Sequence, residues 1–432
     1  MLGGELVGDR RDPGSLRRLA GAAGAALAIG GSAAVALGGP AGAAAAGWSA
    51  TRAATAAGSS FAPAASVGGG NRLAIAWVRQ LGGQNRAELR EGTPSKGLAG
   101  PALVLDSSPH LLDSPALAFL DHRGTLAVAW RRYLDRNHRI RGVIVSPAVK
   151  PGPTAALSAG GESAYSPTFI HSPASFETVA LGWSRRTFSQ LADVTSAGFA
   201  SPARLPGAPI FGPVAAYDGA GTEVAVSSDG AQILDTERPA GAGDFGHSTV
   251  VAAAPEAGQP ISTSTASGGV AAVWSDGGKL IAAVRPRGGV FSTPVEIAPA
   301  GEHARAVALT ADSAEEILVA YLPSLATGAP SGALRLLRLG PGGAPLAGPI
   351  TLASASVTSP PTLATDTSGA FVGWSAGGVV HVIRIAPGGI LGPVRTLSGR
   401  IQGGAPSLTG MPSFGAVATW SSNGRIVYSV YR

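Results

Sequence analysis

The stretch "TLATDTSGAFVGW" at residues 362–374 has a near twin, "ALAFLDHRGTLAVAW", at residues 116–130. Each joins an alternating apolar run, a turn of the form Asp-x-x-Gly, and a second alternating run that ends in Trp. Alternation with period two marks a strand with two distinct faces. Asp and Gly in the turn close a tight hairpin. The second run recurs along the chain, ending at Trp77 in "LAIAWVR", Trp130 in "LAVAWRR", Trp183 in "VALGWSR", Trp274 in "VAAVWSD", Trp374 in "AFVGWSA" and Trp420 in "AVATWSS". Two further copies lack the Trp: "EVAVSSD" puts Ser227 or Ser228 in its place, and "ILVAYLP" puts Tyr321 there. Successive anchors stand about 45–53 residues apart, which makes eight copies.

Each copy has four parts. Pro63, Pro115, Pro167, Pro260, Pro361 and Pro406 lie 13–16 residues ahead of their Trp and lead the first run. Pro suits the first residue of a strand, where no ladder donor is needed. The Trp-ended run is the second strand. A third follows, as in "KLIAAVR" at 279–285, and then a Pro-interrupted fourth, as in "FSTPVEIA" at 291–298. Four short strands per repeat of this length predict an all-β chain, a β-propeller of four-stranded antiparallel blades. Eight blades are expected, with seven as the alternative if the copy at 213–253 is irregular. Trp77, Trp130, Trp183, Trp274, Tyr321, Trp374 and Trp420 are expected to fill the spaces between blades. The eighth copy stops after its third strand, "RIVYSVYR" at 425–432, while "WSATRAA" at 48–54 resembles a fourth strand. The two chain ends are therefore expected to share one blade and close the ring.

Ahead of that strand, Arg10, Arg11, Arg17 and Arg18 precede an uncharged Ala/Gly/Leu run from Leu19 to Gly47. A basic start, an apolar middle and a small-residue exit predict a secretory targeting segment at 1–47, cleaved between about Ala43 and Trp48. The runner-up is an uncleaved membrane anchor, weakened by Gly and by Pro40; the paired arginines of "SLRRLAG" lack the fuller twin-arginine pattern. Residues 48–432 form the single propeller domain, and the protein is expected to be secreted or at the cell surface.

Composition narrows the function. Of the net charge of +6, the first 46 residues carry four Arg and three acidic groups, leaving +5 dispersed over the rest. That argues against a nucleic-acid surface, which needs clustered Lys and Arg. With no Cys, disulfides, thiolate metal sites and thiol nucleophiles are excluded.

From Trp48 onward the chain resembles bacterial exported β-propeller repeat proteins. More distantly it is similar to sialidase-like propellers, whose Asp-box reads Ser/Thr-x-Asp-x-Gly-x-x-Trp. Here the pattern is Asp-x-x-Gly with the Trp five or six residues later.

No phosphate loop, His-Glu-x-x-His pair or Gly-x-Ser-x-Gly elbow is present, so no catalytic residue, metal site or cofactor is expected. The seven His, from His110 to His381, have no metal spacing and are expected in solvated loops, and the turn Asp residues are expected to shape hairpins. One asymmetry points to a ligand. The first three copies follow their Trp with arginine, namely Arg79, Arg131 with Arg132, and Arg185 with Arg186; later copies have Ser275, Ser375 and Ser421. Three adjacent blades could thus present a basic arc to carboxylate, sulfate or phosphate; the competing reading is solvated loop charge. The expected function is an exported, non-enzymatic binding or scaffold module for an acidic glycan, a wall polymer or a protein. The alternative is a carbohydrate-active enzyme on acidic sugars, for which Glu162, Tyr165 and Asp135 are the nearby candidates.

Overall fold

A computed structural model describes residues 46–432 except 57, 69, 135, 173–178, 187, 207–210, 300–301, 325–331, 398–405 and 412–414. The targeting segment and Asp135 thus lie outside the described residues, apart from Ala46 and Gly47. The described chain forms eight antiparallel sheets, each built from four strands in meander order, with an extra short outer strand in three of them. Numbered in chain order as blades I to VIII, they begin with the inner strands Ser59–Gly68, Leu112–Phe119, Ala164–His171, Phe211–Tyr217, Ile261–Ser264, His303–Ala311, Thr362–Asp366 and Ser407–Gly410. Each inner strand contacts the next, and the last contacts the first, so the ring is closed. The copy at 213–253, without a Trp, makes a regular blade IV, and the count is eight.

Closure uses both chain ends. Arg52–Ala53 is the outer strand of blade VIII and pairs antiparallel with Arg425–Tyr431, with Trp48 bridging to Tyr431. Backbone bonds continue the ladder, from Ser49 N to Val430 O at 2.8 Å and from Ala54 N to Ile426 O at 2.7 Å. Trp48 lies edge-on to Tyr431 and Phe371, with centroids 5.6 and 5.9 Å apart. Pairing the ends gives blade VIII its fourth strand, so Arg425–Tyr431 is not left as an edge.

The prolines do not all begin strands. In blades I, II and III the inner strand runs past its Pro through a bulge. Two residues, Ala62–Pro63, Ser114–Pro115 or Ser166–Pro167, stand opposite the single Trp of the second strand. The first residue of each pair has a positive φ, at 51°, 48° and 52°. A bulge leaves its extra residue out of the ladder, so Pro loses no hydrogen bond there. In blades V, VII and VIII the Pro directly precedes a shorter inner strand, as the sequence suggested.

Every Trp of the repeat is at most 2% exposed, and Tyr321 is fully buried. Each packs against the preceding blade. Trp130 shares a cluster with Ala76 and Leu89 of blade I, Trp274 with Val224 and Ile233 of blade IV, and Trp77 closes the ring against Val417 and Ile426 of blade VIII. The exception is the interface between blades III and IV. Ser227 holds the Trp position there, opposite Leu234 on the third strand. The apolar cluster is Ala180, Leu191, Leu205, Ala215, Tyr217 and Ala225, without an indole.

Strand direction sorts the loops into two faces. The hairpins between second and third strands and the links between blades share one, here the upper face. The Asp turns share the lower face. There Asp121 accepts the backbone N–H of Gly124 and of Thr125, both at 2.8 Å, and Asp218 accepts those of Ala220 and Thr222 at 2.9 and 2.8 Å. These carboxylates shape their own hairpins. Asp366 also accepts the N–H of Gly415 from blade VIII at 2.6 Å.

Candidate functional site

The five arginines all lie at the upper ends of second strands or just beyond, but they differ in what they touch. Arg131 is held in both forks by Asp113 of its own inner strand. Arg132 is bound to Asp106 at 3.0 Å, and the same carboxylate accepts the indole N–H of Trp130 at 3.0 Å. Arg185 is 4% exposed and donates to the carbonyls of Ala159 and Glu162, at 3.1 and 2.7 Å. Arg139 of blade II reaches the same Ala159 carbonyl at 2.7 Å. Arg79 is half-buried and pairs in register with Arg86 across the hairpin of blade I, and Arg186 is exposed. Among the described residues no ion pair joins Arg79, Arg86 or Arg186 to a carboxylate.

The ordered arginines organise a row of rings. His110, Tyr133, His138 and Tyr165 follow one another across blades II and III, with successive centroids 6.3, 5.2 and 5.5 Å apart. Arg131 stands over Tyr165 at 5.6 Å from the ring centroid. The hairpin sets this up: Tyr133 and His138 are opposite each other in the ladder, and Tyr133 N–H bonds Leu111 O at 2.9 Å. Burial, with the charge of Arg131 second, lowers the pKa of His138 below the ordinary histidine value, and Asp113 opposes this only in part. The Asp113 carboxylate raises Arg131 above the usual arginine value. The result is an upper-face patch of aromatic edges and guanidinium groups, with Tyr165 36% exposed at its far end.

Sequence reading missed a second group, on the lower face between blades III and IV. Arg238 binds Glu223 at 2.7 Å and Asp193 of blade III at 3.0 Å, and Tyr217 donates to Glu223 at 3.2 Å. They border a cavity of about 590 Å³. Burial pushes Glu223 above the usual carboxylate range, with Arg238 opposing, and raises Tyr217 strongly. One blade on, Arg285 repeats the arrangement with Glu237 at 3.0 Å. Third-strand arginines of blades IV and V each clasp a third-strand acid of the blade before. Beside Glu237 lies Asp235, 3% exposed, whose Oδ1 has no hydrogen-bond partner among the described residues.

No protein-family model matches this chain, and no curated protein matches it. Among solved structures it is similar to a catalytically inactive virginiamycin B lyase from Staphylococcus aureus with quinupristin. That likeness has 9% identity over 75% of this chain and 99% of that one, with a TM-score of 0.49. Prolyl oligopeptidase B from Galerina marginata is similar at 10% identity over 84% of this chain and 56% of that one, TM-score 0.47. A protein of unknown function from Dyadobacter fermentans is similar at 11% identity over 88% and 99%, TM-score 0.41. At these identities the likeness is one of fold. The class is that of an eight-bladed β-propeller, as the strand pairing establishes.

Proposed function

We propose that this propeller is an exported, non-enzymatic binding module that holds an anionic polymer, an acidic glycan or wall polymer, on the upper face of blades I to III. The observation that carries the reading is the ring row ending at Tyr165 beneath Arg131, on the face to which the strand ends of blades I and III also bring Arg79, Arg86 and Arg186. Aromatic faces and edges pack on the C–H surface of a sugar ring. Guanidinium groups without an internal carboxylate are left to meet carboxylate or sulfate in pairs. Arg131, Arg132 and Arg185 serve as the rigid support of this face, because Asp113, Asp106 and the Ala159 and Glu162 carbonyls hold their guanidinium groups within the fold. Export rests on the basic start and apolar run of residues 1–47.

The enzyme alternative asks for a free carboxylate and a Tyr converging on an arginine. Tyr165 and Asp113 do converge on Arg131, but both oxygens of Asp113 are taken by that arginine. This favours binding over acid–base work. A glycan array with wild type and the Arg79→Ser/Arg186→Ser double variant tests the reading. Wild type is expected to bind acidic glycans in a salt-sensitive manner, and the variant to lose most of that binding while still melting cooperatively, since Arg186 is exposed and Arg79 is half-buried with no ion pair among the described residues. Equal binding by both, or none by either, overturns it.

A further inference from the structure

The eightfold repeat drops its large aromatic side chain at one interface, between blades III and IV, and a cavity opens on the channel side of these blades and blade V. Second-strand residues alternate in the blade they face. Ser227 therefore faces blade III with Ala225, toward the side of blade III that carries Gly182 and Ser184. Gly182 and Ser184 line a cavity of about 330 Å³ on the channel side of blades III to V, within the size range of small-molecule pockets. In the other blades a Trp or Tyr takes this position and packs against the neighbour.

The lining is unlike the rest of the molecule. Ser166, Thr168, Ser184, Ser262 and Ser264 bring hydroxyls to it, and Gln259 brings an amide. Apart from His171, none of the described lining residues is ionisable. Phe169 and Ile170 supply an apolar wall. Ser264 is engaged with Tyr217 O of blade IV at 2.7 Å, which fixes the floor across the blade boundary. A hydroxyl both donates and accepts. A charged ligand would find no counter-charge here and would lose its hydration uncompensated.

We infer that the channel-side cavity of blades III to V is a second ligand site, which takes a neutral polyhydroxylated molecule, a sugar, with its hydroxyls on the Ser/Thr lining and its C–H face on Phe169 and Ile170. Ser227 is not among the described lining residues; it is a positioning residue, buried against the side of blade III that carries Gly182 and Ser184. The site is separate from the upper-face patch in both place and chemistry.

Isothermal titration calorimetry with glucose, galactose, N-acetylglucosamine and their β-linked trimers tests this. At least one of these neutral probes is expected to bind wild type with an affinity that does not change between low and high salt. Ser227→Trp, which puts the indole of the other blades at a position now 3% exposed, is expected to weaken that binding at least tenfold, at some cost in melting temperature. Thr168→Val/Ser184→Ala, which removes hydroxyls on the channel side without adding bulk, is expected to weaken it similarly with little change in melting. Arg79→Ser/Arg186→Ser is expected to leave it unchanged, so this site and the upper-face reading stand or fall separately. No binding of any neutral probe by folded wild type, or undiminished binding in both cavity variants, overturns the inference.

Discussion

Arg52 and Tyr428 are direct cross-strand partners, so the first strand of the described chain is the outermost strand of the last blade. The Tyr428 hydroxyl also accepts the N–H of Leu98 in blade I at 3.2 Å, tying this shared blade to its neighbour.

If that seam holds the ring, Trp48 is its main apolar contact. Trp48→Ala is expected to lower stability by about 3 kcal/mol, at the low end for removing a buried aromatic because Trp48 is only partly buried. Deleting 48–54 should lower it further. Thermal and urea unfolding read this directly, and unchanged curves for both variants would mean that the seam does not support the fold.

Arg238 is the only positive charge bound to Glu223 among the described residues, and the Glu223 side chain is 2% exposed. Removing one partner of a buried pair leaves the other uncompensated, at a cost of about 3–5 kcal/mol. Arg238→Met is expected to show that loss, and Arg238→Met/Glu223→Gln to recover part of it. A double variant no more stable than the single would contradict the pairing.

Asp235 governs a pH dependence. Burial first, and the neighbouring Glu237 charge second, raise its carboxyl to about 7, with Arg285 opposing. The unfolded chain has an ordinary Asp pKa of about 3.9. Between pH ~4 and ~7 the native state therefore binds more protons than the unfolded one, and stability falls as pH rises. The slope flattens above the folded value. Over the whole window the effect is about 4 kcal/mol at 1.36 kcal/mol per unit. Asp235→Asn, neutral at all pH, is expected to remove this part of the slope. Urea titrations at pH 4.5 and 7.5 measure it, and equal slopes in both proteins would refute the assignment.

Sequence carried the blade count because Trp, Asp and Gly recur at fixed offsets and each has a local reason to be there. The bulge was not legible: Pro at a strand start and Pro in a bulge both lack a donor, and only the partner strand tells Pro63 from Pro361. The arginine positions were legible, but not the uses of Arg131, Arg132 and Arg185. Their partners lie 18–26 residues away, Asp106 and Asp113 in other strands and Ala159 in the link between blades II and III. The group of Asp193, Glu223 and Arg238 crosses a blade boundary, and only an alignment of third strands, setting Arg238 over Arg285 and Asp193 over Glu237, could have suggested it. Ser227 was seen as an omission in the pattern; that the omission coincides with a cavity is a matter of packing between neighbours, which no single repeat encodes.

The shared blade has a kinetic consequence. Ser429 donates to the Ser49 carbonyl at 2.7 Å from 380 residues away, so the seam joins segments that are synthesised at opposite times. Loop closure of that length comes late in folding, after the local hairpins have formed. Contacts made after the transition state act on the rate of unfolding rather than of folding. The seam therefore works as a latch on lifetime: it sets how long a finished ring survives before it opens, and adds little to how fast the blades assemble.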